Sequence, residues 1–555
     1  MWTAAAPRPF AASWLWRFIA TLLLATWAVG CASLPSHVEK TPSRAIAPSQ
    51  DTALGRLVQA RRAQAKARSE SAFTLLDDVD SAFSARVALI DLAQRSLDLQ
   101  YYAIHADSST EVLLEHLRTA ARRGVRVRIL LDDFNTVGED AQVLRLAFER
   151  GIEMRLFNPS AGPRGSLVTH VLGSLHKADS LQKRMHNKLF LADNAWGITG
   201  GRNLGDAYFG GDDKSAFVDL DVLAAGAIVQ QMSASFDHFW NDDLAYPVQS
   251  LLSERDLRKL QESGADKAKD KAAEGPPAAV LPTVTAPEAA AARRAPLDLQ
   301  RVPQAWAPAV LLADKPGKIG PGDDEANAGE TVVDGLLQLM LGAQHELLIV
   351  SPYFVPGPQM MKVFAELRGR GVAVRVLTNS LASTDAPAAH AGYRRYRKDL
   401  LAMGVELHEM RSDPQSAGLP GSGSGRRKGG SGVGLGSDAG GSKSGTSRAS
   451  LHSKAVMIDR RMAVIGSMNL DLRSQLKNSE VALLIRSAPL AAAAAKLVER
   501  SFANGSYLVQ LQDGNLVWKA PPGAAYKDSR SEPEAGAKRR LMLELVAPIA
   551  PDAML

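Results

Sequence analysis

The chain has one cysteine in 555 residues, few aromatics (6%) and no strong excess of either charge, with 65 Lys and Arg against 59 Asp and Glu for a formal net charge of +6. One thiol excludes an intramolecular disulfide framework and every multi-cysteine zinc or iron–sulfur site. So small a charge on so long a chain argues against a nucleic-acid groove, whose affinity rests on many phosphate contacts, yet leaves room for a local anionic ligand. Long apolar runs are also missing. The run FIATLLLATWAV at 18–29 has twelve residues and no comparable one follows, whereas a helix needs about 20 to cross a bilayer. A composition of 46% hydrophobic and 22% charged residues is that of a folded chain, and the length predicts two or more domains.

The apolar run follows Arg8 and Arg17 and leads into Gly30, Cys31, Ala32 and Ser33, the layout of a secretory signal. Residues 28–31, AVGC, resemble a bacterial lipoprotein box. That resemblance implies a signal peptide over 1–31, acylation of Cys31, and a protein tethered to a membrane surface in a bacterial cell envelope. Residues 32–74 are polar and Ala/Arg/Ser-rich and are expected to form a tether, with folding from about Leu75.

From there the chain repeats itself. Helical spacing over 83–93, a strand LDLQYYAI at 97–104, a helix over 109–123, Gly124 and the strand VRVRILLDD recur between 333 and 380, where Gly371 and VAVRVLTNS stand 247 residues after their counterparts. In VRVRILLDD the apolar residues Val125, Val127, Ile129 and Leu131 alternate, which predicts a strand with one buried face. Such a duplication predicts two α/β units at 75–253 and 301–520, each a parallel or mixed sheet flanked by helices. Between them, residues 254–300 read as a Pro- and Ala-rich linker, and 412–450, dense in Gly and Ser, as a loop within the second unit. A tail at 521–555 ends in RRLMLELVAPIAPDAML, which suits a bilayer surface or packing on the domain.

Of eleven histidines, only His186 and His452 have a lysine two residues on, Lys188 and Lys454. Asp193 and Asp459 follow their histidine by seven residues, Gly200 and Gly466 by fourteen, and Asn203 and Asn469 by seventeen, with Gly201 and Ser467 between. One H-x-K is noise; four matching offsets in both halves form a specific signal. The spacing fits a hairpin. Histidine and lysine project from one face of a strand, Asp-containing corners turn the chain, and the return strand brings GGRN or GSMN back beside them. Two halves meeting about a pseudo-two-fold axis then enclose one cationic site suited to a phosphodiester.

This pattern, H-x-K-x4-D followed by G-[GS]-x-N, twice, resembles the phospholipase D superfamily over most of residues 75–520. The stretches GGRNLGDAYFG, FVDLDV, NSLASTD, HAGYRRYR and LHSKAVMIDRRMAVIGSMNLDLRSQLKNSEVAL look like its bacterial cardiolipin synthase branch. The resemblance implies a phosphatidyl transferase with phospholipid substrates, phosphatidylglycerol and also phosphatidylethanolamine, and it implies neither metal nor other cofactor. It leaves a protein partner open and a hydrolase or nuclease as the alternative activity, while lipid attachment and the small net charge make nucleic acid an unfavoured ligand. It implies one histidine as nucleophile, His186 by family precedent, and the other, His452, as general acid and base. Lys188, Lys454, Asn203 and Asn469 would hold phosphate oxygens. Glu480 and Asp221 are the carboxylates expected behind the histidines, with Asp219 as the alternative because D-x-D leaves a choice of register. Asp193 and Asp459 are expected to make structural ion pairs. His170, His176 and Lys177 read as loop residues, and His390, Tyr393 and Tyr396 as a packed helix face.

Overall fold

Gly124 and Gly371 mark the joints at which each half changes from helix to strand. Both have positive φ, +92° and +79°, a region open to glycine and costly to other residues. Helix Ser108–Arg122 can therefore turn into strand Arg126–Asp132, and helix Gly357–Gly369 into strand Ala373–Asn379. The computed structural model describes residues 34–546 other than 36, 49, 139, 161–181, 211–214, 253–294, 320–330 and 414–447. Cys31 and the signal segment, His170, His176, Lys177, most of the 254–300 linker and most of the Gly/Ser-rich stretch lie outside the described residues.

Each half builds a nine-stranded mixed sheet, and the two sheets share an order. In the first, Ile152–Phe157, Arg126–Asp132 and Ser96–Tyr101 run parallel, then Leu189–Ala192, Trp196–Gly200, Asp221–Gly226 and Ser71–Leu76 continue antiparallel. In the second, the same places are taken by Glu406–Met410, Ala373–Asn379 and Glu346–Val350, then Ala455–Ile458, Met462–Gly466, Val481–Ile485 and Ala309–Ala313. One apolar core joins the halves: Leu189, Val222, Met232 and Phe236 of the first pack in it with Leu348, Val481, Leu483 and Ala494 of the second. Strand Arg126–Asp132 is buried on both faces rather than the one expected. Val127, Ile129 and Leu131 enter the outer core, Leu130 enters the shared one, and Arg128 is buried against Asp98 (2.7 Å) and Asp237 (2.8 Å). A buried charge so paired avoids the full desolvation cost, which is how polar alternates survive inside a two-sided sheet.

Those buried arginines also correct the expected tether. Arg155 donates to the Thr41 carbonyl at 2.7 Å, Arg128 to that of Ser43 at 3.1 Å, and Asn194 to that of Ile46 at 2.8 Å, so 41–46 lie along the first sheet. Helix Ala53–Gln64 follows, capped by Thr52, and Ser71–Leu76 is an interior strand of the sheet. Folding thus begins well before Leu75. At the other boundary, Leu299 is buried in the first half's core and Ala305–Trp306 pairs with Ser71–Leu76, so the linker and the start of the second unit belong partly to the first. In the tail, helix Ala537–Val546 buries Leu543 and leaves Leu541 and Leu545 more than 60% exposed.

Candidate active site

The Asp corners turn each hairpin as the spacing requires. Asp193 and Asn194, like Asp459 and Arg460, hold φ near +50°, the mirror-image turn whose twist matches a hairpin. Where ion pairs were expected, the motif aspartates instead accept backbone N–H groups: Asp193 those of Gln94, Arg95 and Ser96, and Asp459 those of Gln344, His345 and Glu346, at 2.7–3.2 Å. A carboxylate that caps three amides fixes the hairpin tip to the start of the neighbouring strand. Burial would raise the Asp459 carboxyl, but these amides outweigh it and hold it below its ordinary value.

Two short parallel pairs cross between the halves and set the site. Arg184–Met185 lies beside Asn478–Ser479, and Arg448–Leu451 beside Ser215–Val218. Met185 is opposite Ser479 and Leu451 opposite Val218. One residue further along each pair, His186 therefore meets Glu480 and His452 meets Asp219. The H-x-K triplets, expected within strands, occupy the links between these crossing strands and the hairpin strands Leu189–Ala192 and Ala455–Ile458. There the main chain leaves one sheet for another, and each lysine folds back to cap its histidine's carbonyl: Lys188 Nζ is 3.0 Å from His186 O, and Lys454 Nζ 2.6 Å from His452 O.

His186 Nδ1 lies 3.0 Å from Glu480 Oε2, and His452 Nδ1 2.7 Å from Asp219 Oδ2. The register choice in D-x-D thus falls to Asp219, and the expectation for Asp221 is corrected. Asp221 instead accepts from Arg86 at 2.9 Å and lies 3.5 Å from Arg202, in a buried ion cluster. Its Oδ1 also sits where a Cβ on Gly200 would have to go, 2.2 Å away. Gly201 serves Asp219 likewise, a Cβ there falling 2.2 Å from Asp219 Oδ1. In the second half the corresponding Ser467 donates its hydroxyl to Glu480 instead, as does Ser474 at 2.9 Å.

Both histidines, both lysines, Asn203, Asn469, Asp219 and Glu480 are buried. Asn203 Nδ2 donates to the Tyr208 hydroxyl at 3.0 Å and its Oδ1 accepts the Ala103 backbone N–H at 3.3 Å; the Asn469 backbone N–H donates to Ser474 Oγ at 3.2 Å. Aromatic rings wall the site. Tyr102 stands 5.1 Å from the His186 ring and 5.5 Å from Lys188 Nζ, while Tyr208 and Phe217 stand 5.3 and 4.9 Å from the His452 ring. Sequence reasoning missed these three; their place in LDLQYYAI, GGRNLGDAYFG and FVDLDV was the only signal. It also missed Asp314, which accepts the Glu480 amide at 2.9 Å and pairs with Lys318 at 2.7 Å, and for which the sequence carries no signal. His390 and Tyr393 are not among the side chains gathered here: they are buried on their helix, His390 at 3.0 Å from Arg397 and Tyr393 bonded to Glu409.

The two pairs differ electrically. Burial pushes the Glu480 carboxyl up to about 7 despite Lys188, Ser467, Lys318 and Ser474. Burial acts on Asp219 as well, but His452, Lys454 and Arg202 overcome it and hold Asp219 well below the usual carboxylate range. His452 is lowered, first by burial and then by Lys454, against the pull of Asp219. Asp219 is thus the ionised carboxylate of the second pair, and since it only accepts, the proton shared with His452 sits on Nδ1.

The family model described as "Cardiolipin synthase, PLD-like domain" matches residues 87–240 and 336–504. The chain belongs to this phospholipase D-type family. It is 33% identical over 472 residues to cardiolipin synthase C of Escherichia coli (strain K12), covering 84% of this chain and 92% of that protein. It is 23% identical over 449 residues to a cardiolipin synthase A of Yersinia pseudotuberculosis, covering 80% and 71%. Among solved structures it is similar to a phosphatidylserine synthase from Haemophilus influenzae Rd KW20, with a TM-score of 0.49 and 14% identity over 81% of this chain and 91% of that one. The protein is a cardiolipin synthase-like phosphatidyltransferase of the phospholipase D superfamily.

Proposed function

We propose that the protein makes cardiolipin, moving a phosphatidyl group from phosphatidylglycerol or phosphatidylethanolamine to a hydroxyl of a second phosphatidylglycerol. The observation that carries this reading is the crossed pairing, in which each histidine takes its carboxylate from the other half. His186 Nε2 attacks phosphorus, and the donor's alkoxide leaves with a proton from His452, giving a phosphohistidine. His452 then takes the proton of the acceptor hydroxyl, whose oxygen attacks phosphorus and frees His186. The low-lying Asp219 favours this division, because an ionised partner stabilises the imidazolium that His452 must become. An anionic phosphodiester beside His452 also favours that protonated form.

Lys188, Lys454, Asn203 and Asn469 hold the non-bridging oxygens in this scheme. Removing one such donor from a buried site costs roughly 3 kcal/mol of barrier, about a hundredfold in rate. Acylation of Cys31 would keep the site at its lipid substrate in the cell envelope. The test is to incubate purified protein with vesicles of phosphatidylglycerol and phosphatidylethanolamine and read the products by mass spectrometry. Cardiolipin formed only with His186 and His452 intact supports the proposal. Phosphatidic acid alone would mark a hydrolase, and cleaved DNA with unchanged lipid a nuclease.

A further inference from the structure

Asp132 and Asn379 hold the same place in the duplicated strands VRVRILLDD and VAVRVLTNS, 247 residues apart. Each is the last residue of its strand and each is buried. Their side chains reach the main chain of the residue just before each motif histidine. Asp132 Oδ2 accepts the Met185 amide at 2.8 Å. Asn379 Oδ1 accepts the Leu451 amide at 2.9 Å, and its Nδ2 donates to the Leu451 carbonyl at 2.9 Å. Met185 and Leu451 are also the final residues of the strands that pair across the halves. Each is therefore gripped on one side by the opposite half and on the other by a side chain of its own half.

We propose that Asp132 and Asn379 are positioning residues, side-chain substitutes for a strand partner that fix where His186 and His452 enter the shared site. This rests on those histidines carrying the reaction. The turn beyond each strand closes alike: Thr136 Oγ1 donates to the Asp133 carbonyl at 2.7 Å and Ser383 Oγ to the Ser380 carbonyl at 3.4 Å, Thr136 and Ser383 being again 247 residues apart. Only in the second half does that hydroxyl also brace the gripping side chain, Ser383 Oγ donating to Asn379 Oδ1 at 2.9 Å. The halves differ in one respect. An amide both donates and accepts, so Asn379 closes two bonds on Leu451, whereas the Asp132 carboxylate only accepts and has Arg184 at 3.6 Å as its cation. A buried amide or carbonyl that loses its partner shifts to find another, and a displacement of about 1 Å at a reacting group costs on the order of a hundredfold in rate.

The test is steady-state kinetics of the full-length protein on vesicles of phosphatidylglycerol and phosphatidylethanolamine, with Tm measured beside it. Asn379→Leu and Asp132→Leu should lower kcat by about a hundredfold and leave KM within about twofold. Asp132→Asn, which keeps the acceptor, should recover most of the loss seen in Asp132→Leu, and Asn379→Asp, which keeps only one of two bonds, should fall between Asn379→Leu and the parent. Should the leucine variants not fold, the near-isosteric exchanges carry the test against the parent: Asp132→Asn keeps kcat close to it and Asn379→Asp falls clearly below it at unchanged Tm, and the reverse order overturns the proposal. Losses of kcat that merely follow Tm, a rise in KM at constant kcat, or Asp132→Asn as impaired as Asp132→Leu would overturn the proposal. His452→Asn separates the two layers. If it is inactive while Asn379→Leu turns over normally, the positioning role alone is wrong; if it is active, the assignment of the histidines falls and this inference with it.

Discussion

His452 on Asp219 and His186 on Glu480 are built by the same crossing of strands, yet they are tuned apart. Asp219 is the shorter carboxylate, set against Gly201 with Arg202 donating to its backbone carbonyl, and it stays ionised. Glu480 is longer and takes hydroxyl bonds from Ser467 and Ser474, yet burial still pushes its carboxyl up to about 7. Duplication has copied the backbone geometry, while the surroundings of each carboxylate set the two apart: His452, Lys454 and Arg202 hold Asp219 low, and burial outweighs every favourable contact of Glu480.

Removing the imidazoles has the largest expected effect. His186→Ala and His452→Ala should each abolish turnover with Tm nearly unchanged, checked by product analysis and thermal melts. Next come the carboxylates. Asp219→Asn should lower kcat by about three to four orders of magnitude, since an amide neither orients the neutral tautomer uniquely nor stabilises an imidazolium. Glu480→Gln should cost less at pH 6, where Glu480 is already largely protonated, than at pH 8, where it is ionised. A pH–rate profile of the parent should accordingly fall as pH drops through about 7, and Ser467→Ala, which removes a bond to the charged carboxylate, should move that limb upward.

The smallest effects are on stability. The Glu480 carboxyl is raised from 4.5 to about 7 on folding, so its contribution is fully present below pH 4.5 and is lost as pH rises through about 7. Glu480→Gln should therefore raise Tm at pH 8 relative to the parent and do little at pH 4. Asp459 runs the other way. Its carboxyl is held low by three backbone amides, so Asp459→Asn should destabilise at pH 7, with the difference shrinking as pH falls below the ordinary carboxylate range.

Much of this was legible in one dimension. The duplication, the hairpins and the motif residues show in the sequence because they are matters of spacing along the chain. What was hidden depends on contacts between distant segments. Asp219 and Asp221 are both two-periodic neighbours on one strand path, and only the pairing of Leu451 with Val218 decides between them. Asp132 and Asn379 act on main chain 53 and 72 residues away, where no side-chain pattern announces them. Residues 41–46 read as a tether because they carry no clean apolar period; what holds them is their carbonyls, which serve arginines buried in the sheet.

The central claim is that two unequal histidines share one site and that His186 carries the phosphatidyl group. It is tested most directly by mixing the protein with phosphatidylglycerol vesicles, quenching in alkali within the first turnover, and mapping the modified peptide by mass spectrometry. The account predicts a phosphohistidine at residue 186, absent from His186→Ala. A label on His452, or cardiolipin formed with no covalent intermediate, would contradict it.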